Sequence, residues 1–351
     1  MRISCAVLLA GIFGVACNLC GQPAPADQPY KVLKTEKVGG PGGWDYVYAD
    51  ADGRRLYIPR GNRITVFDLD SLKSQGEIPN TNGVHGVAVD PKSNHGFSSS
   101  KPVVMWDTKT LTTIKTIDVQ GNPDGILFDP STEHVFVLSH RDPNVTVINA
   151  ADGSIVGTID LGGAPEEGAS DGNGRVYIDV EDKDNVAVID AKALSVTAHY
   201  DLGGKGGGPA GLAMDVKNHI LFAFCREPAN VVILNADDGK IVTSLPIGNG
   251  VDAAEFNPNT MEAFSSQGDG TLSVIKENSP TDFAVEQTVQ TKRNARTSTL
   301  DLQTGQIFLI TADFAPPATQ PASTQPTAQT GRRNRRGTMV PDSFTIQVVG
   351  K

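Results

Sequence analysis

Asp45, His85, Asp124, Glu166, Asp252 and Arg296 recur along the chain at intervals of 39 to 44 residues once Ala210 is counted as the fifth member of the series. Four more charged or imidazole side chains, Arg60, His140, Glu181 and Arg226, stand between them. Gathered in one place, the carboxylates of Asp45, Asp124, Glu166 and Asp252 can hold a hard cation, Ca2+ or Mg2+, because such ions take several oxygen ligands. With Arg296 as an anion anchor, the same set can hold a polar ligand. His85 is the candidate acid or base of any reaction there. A hydrated channel needs the same residue types merely to satisfy its own polar lining. Any of these outcomes requires a repeated architecture that brings the openings of successive units together.

The repeat is visible. After each opening residue the chain runs through a short apolar segment, YVYAD, GVAVD, GILFD, GASD, GLAMD, AAEFN or TSTLD, into an acidic or amide turn. Pro91, Pro130 and Pro258 continue three of these turns, as expected where a tight reversal begins. A second segment (EHVFVLS, HILFAF) and a third (NVTVINAAD, NVVILNADD) follow. A fourth, such as SIVGTIDLG, comes after an Asp-Gly or Ser/Thr-Leu turn. Aromatic and β-branched residues alternating with period two mark these segments as strands. Seven units of four short antiparallel strands predict an all-β, seven-bladed β-propeller. The last unit lacks a fourth strand: residues 343–349 fit the third column, and residues 30–38 can supply the fourth. Closing the ring by pairing the N-terminal strand with the C-terminal blade removes free sheet edges. In such a ring the opening residues lie near one mouth of the central channel, and the loops carrying Arg60, His140, Glu181 and Arg226 rim the same face.

Arg2, an apolar run from Ala6 to Ala16 and the small-x-small site Ala24-Pro25-Ala26 have the anatomy of a secretory signal. The expectation is a signal peptide over 1–26, one propeller domain over 27–351, and a periplasmic or secreted location. Lipidation of Cys17 is the alternative, although the box before it lacks the usual Leu. Cys225 is then the lone cysteine of the mature chain, which leaves the fold to be held by its core. A chain of 351 residues with 39% hydrophobic content is ample for that. No second apolar stretch is long enough for a membrane helix. The net charge of -10 argues against nonspecific nucleic-acid binding. The basic run Arg332-Arg333-Asn334-Arg335-Arg336 sits in an insertion rich in Pro, Ala, Thr and Gln, 315–336, which reads as a solvated loop. With its edges closed, the expected state is a monomer.

Segments such as HVFVLSHRDPNVTVINAADGSIVGTIDLG, together with GGWDYV, GVHGVAVDP and NGVDAAEFNP, resemble the YVTN-type repeats of YncE-like seven-bladed propellers, over roughly Tyr30 to Gly350. The resemblance implies the fold and an extracytoplasmic address, and no single activity. The mature chain has no G-x-S-x-G elbow, phosphate-binding loop, H-E-x-x-H or C-x-x-C. Two classes remain. One is a binding or scaffold module whose top face recognises a small molecule, a glycan or a protein partner. The other is a divalent-metal-dependent lactone hydrolase or lyase, with Asp45, Asp124, Glu166 or Asp252 holding the cation.

Overall fold

The computed structural model describes residues 28–315 and 338–351. The expected signal peptide and all but the first residue of the expected insertion lie outside the described residues. Seven four-stranded antiparallel sheets are formed. They are numbered here as blades I to VII by their innermost strands: Tyr48–Asp50, Val87–Asp90, Pro123–Asp129, Pro165–Ser170, Pro209–Asp215, Val251–Asn257 and Ser298–Asp301. In blades I to VI the strands follow chain order outwards. The innermost strands of neighbouring blades touch around a complete circuit, including those of blades VII and I. The chain is therefore a seven-bladed β-propeller.

Period-two alternation translates directly into packing between blades. In the second strand of blade III, His134–Ser139, Phe136 and Leu138 pack with Val176 and Ile178 of blade IV. Val135 and Val137 face the other way, against Phe97 and Met105 of blade II. Both faces of the blade are buried, and each such side chain contributes roughly 1.5–3 kcal/mol. Trp106, fully buried, fills the gap between blades I and II against Tyr57.

Turn chemistry repeats as faithfully. The turn between the third and fourth strands puts one residue in the left-handed region, and that residue is Gly153 in blade III and Gly239 in blade V. Leu72, Leu111 and Leu194 hold the same place in blades I, II and IV, with φ of 59°, 60° and 53°. A left-handed Leu costs roughly 1–2 kcal/mol. Packing offsets it, because all three side chains reach an interblade core.

The ring closes as the sequence predicts. Lys31–Lys37 pairs antiparallel with Thr345–Gly350 as the outermost strand of blade VII, with Lys31 opposite Gly350 and Lys37 opposite Thr345. Tyr30 anchors this strand to blade VI: its ring meets Phe264 edge-on at 5.3 Å and its hydroxyl donates to Glu262 at 2.6 Å. Glu262 also accepts from Lys351 at 3.0 Å, so residues from both ends of the chain meet on one carboxylate.

Candidate functional site

The opening residues of the blades do converge on one mouth of the channel, and they do so as a closed cycle of alternating charge. His85 Nδ1 lies 2.8 Å from Asp45 Oδ2 and 3.2 Å from Asp124 Oδ1. His140 Nε2 lies 3.4 Å from Asp124 Oδ2 and 2.9 Å from Glu166 Oε2. Arg226 donates to Glu166 at 3.0 Å and also binds Asp252. Arg296 contacts the other oxygen of Asp252 and closes the cycle on Asp45 Oδ1 at 3.5 Å. Glu181 joins from outside, accepting from Arg226 at 2.5 Å.

The order around the cycle follows from side-chain length. Blade V offers only Ala210 at its inner position, too short to reach its neighbours. Arg226, from the loop after the second strand of the same blade, extends over it and bridges blades IV and VI. His140 does the same between Asp124 of blade III and Glu166 of blade IV.

Electrostatics reflect this pairing. The hydrogen bond that His85 donates to Asp45 raises its pKa, and the one that His140 donates to Glu166 raises that imidazole to about 9. Burial pushes the Asp124 carboxyl up to about 6. Burial also works against ionisation of Glu166, but His140 and Arg226 overcome it and hold that carboxyl below its ordinary value. Asp252 is raised by burial against the pull of Arg296 and Arg226.

Arg60 is a correction to the expected rim. It occupies the same loop position in blade I, yet its guanidinium turns back and donates to the carbonyls of Gly39, Gly40, Pro41 and Gly42. It lies over the Phe344 ring at 3.7 Å and is buried, which lowers it to about 10. Its work is to order the link between the closing strand and blade I. Gly42 makes that wrap possible, since a Cβ there would sit 2.5 Å from the Arg60 carbonyl oxygen.

The expected cation set also changes. Both oxygens of Asp252 face guanidinium groups, so it is already neutralised. Two other groups of three present one ligand atom each within 4.8 Å: Asp45, His85 and Asp124, and Asp124, His140 and Glu166. They share Asp124, and each contains an imidazole nitrogen. Such a nitrogen/oxygen donor set suits Zn2+ or Mn2+ better than the Ca2+ or Mg2+ expected from carboxylates alone.

Three residues beneath the ring escape the sequence reading. The Tyr46 hydroxyl donates to the Glu166 carbonyl at 3.2 Å, which ties blade I to blade IV across the channel. Glu167 and Glu255 line the space below. A signal existed for the last two. Glu167 stands where three other blades have Gly86, Gly125 and Gly211, and Glu255 puts a carboxylate into a column that elsewhere holds uncharged residues such as Ala88, Leu127, Ala213 and Thr299.

No family model matches the chain, and no curated protein matches it. Its fold is similar to solved propellers. The structure of U3-55K gives a TM-score of 0.69 at 13% identity, over 91% of this chain and 98% of that one. The RRP9 WD40 repeats give 0.70 at 13% identity, over 93% and 99%. A chain in the Mitotic Checkpoint Complex gives 0.67 at 12% identity, over 86% and 96%. At these identities the likeness establishes the propeller and nothing finer.

Proposed function

We propose that this chain is an exported binding propeller of the YVTN-repeat kind, which recognises a polar ligand across the charged ring at its mouth. One observation carries this reading: every basic group of the ring is held by at least two carboxylates. The cycle therefore fixes its own rotamers and nearly cancels its own charge. A surface of fixed donors and acceptors with little net field suits a neutral, hydroxyl-rich small molecule or glycan, or a polar protein surface, better than a free ion. That a similar fold occurs within a Mitotic Checkpoint Complex supports partner binding as one use of such a scaffold. The test is binding of neutral oligosaccharides by saturation-transfer NMR to wild type, His85→Gln and His140→Gln. Loss of one bridging group should weaken binding by about tenfold. Equal binding to all three proteins would place recognition elsewhere.

The two ligand triplets sharing Asp124 favour one further reading, a metal-assisted lactone hydrolase or lyase. Elemental analysis after loading with Zn2+, Mn2+, Ca2+ or Mg2+ separates the two. Stoichiometric metal lost in His85→Ala and Asp124→Ala, with turnover of a lactone, favours the enzyme. A metal-free ring favours the binding module.

A further inference from the structure

Beneath Tyr46 the channel opens into a cavity of about 580 Å³. Its wall is mixed, with apolar residues such as Val87, Ile126 and Phe256 beside Ser170, Ser298 and Thr299. Three glutamates line it, and of these Glu166 is already paired with His140 and Arg226, which leaves Glu167 and Glu255. Glu167 Oε2 accepts the backbone N–H groups of Leu212 at 2.8 Å and Ala254 at 3.2 Å, which fixes the side chain against blades V and VI. Its other oxygen accepts no hydrogen bond among the described residues. Glu255 makes neither a hydrogen bond nor an ion pair among them. Behind Glu167, Asp179 accepts the Glu167 N–H at 2.6 Å, and its second oxygen is buried without a partner. The described wall contains no Lys, Arg or His.

Carboxylates drawn partly out of water are commonly paired, and neither of these two partly buried carboxylates meets a cation among the described residues. Burial accordingly holds the Glu255 carboxyl up to about 8. We propose that the chamber is a second binding site, for an organic cation: a primary ammonium group on an apolar body, with its nitrogen between Glu167 and Glu255. A metal ion fits poorly, since Mg2+ or Ca2+ takes six or more oxygens and the described wall offers two unpaired carboxylates. The volume lies within the range of small-molecule sites, roughly 300–1,000 Å³. Tyr46 and the ring close one end, so the ligand enters from the opposite face, past Pro91, Pro130 and Leu302.

The experiment is isothermal titration and native mass spectrometry of the mature protein with n-hexylamine, hexan-1-ol and hexanoate, repeated on Glu255→Gln and Glu167→Gln. The glutamine at 167 keeps an acceptor for Leu212 and Ala254. The glutamine at 255 removes an unpaired, partly buried acid and should raise the melting temperature, which verifies folding. Wild type should take up one amine, with the alcohol about tenfold weaker or more, the loss expected when a charge-assisted bond is removed. Hexanoate should not bind, and each variant should lose the preference for amine over alcohol. Equal affinity for amine and alcohol, an amine preference that survives both substitutions, or no uptake of amine by wild type would each overturn the proposal.

Discussion

Replacing Arg226 by Met tests whether the ring is held by charge. Methionine keeps much of the stem's packing and removes only the guanidinium. Opening a buried ion pair costs about 3–5 kcal/mol. Here Asp252 retains Arg296, Glu166 retains His140, and the Glu181 side chain is 26% exposed. These reduce the expected loss to about 2–3 kcal/mol, or about 4–6 °C in melting temperature for a domain of this size. The loss must also depend on pH. Without the guanidinium, Glu166 and Asp252 repel one another, which raises their pKa values in the folded variant. Protons therefore relieve the variant as pH falls, and near pH 5 the loss should shrink to about 1 kcal/mol. Urea unfolding of both proteins near pH 5 and pH 8 measures the difference. As a control, Arg175→Met removes an exposed pair with Asp237 and should change stability by no more than about 0.5 kcal/mol. An Arg226→Met loss that is the same at both pH values, or none at all, would refute the reasoning.

In chelator-treated protein, NMR should show His140 still protonated at neutral pH. Its folded pKa, about 9, lies above the unfolded value. Its stabilisation is therefore full below about pH 6.5 and lost as pH rises through about 9, amounting to about 1–2 kcal/mol for a side chain over a third exposed; a fully neutral His140 at pH 7 would contradict this. At Leu72, Ala should be less stable than Gly by about 1 kcal/mol, because both lose the packing and only Gly relieves the left-handed backbone; denaturant midpoints that rank Ala above Gly would show the strain to be absent. Deleting residues 28–37 exposes the edge of Thr345–Gly350 and should give aggregation detectable by light scattering, whereas a soluble, cooperatively folding truncation would show that the closing strand is dispensable. Cys225 is buried, and burial pushes its thiol up to about 12, so it should react with a disulfide reagent only after denaturant is added.

Much of this molecule is legible in its sequence. The number of blades, the four strands in each, the closing strand and the blade-opening residues at the mouth follow from two local regularities, period-two alternation and a spacing of 39 to 44 residues. Both are properties of the covalent chain that any register of the fold must respect. The tertiary structure decided which side chains pair. It sent Arg226 over the gap left by Ala210 and turned Arg60, at the equivalent position of blade I, back towards the carbonyls of residues 39–42. It joined His140 to two blades at once. It also placed Glu167 and Glu255, from blades IV and VI, in one chamber with no counter-charge among the described residues. The physical reason is that strand position is set by backbone hydrogen bonds repeated in every blade. The partner of a charged side chain depends on its length, its rotamer and the neighbours that other blades bring within about 4 Å.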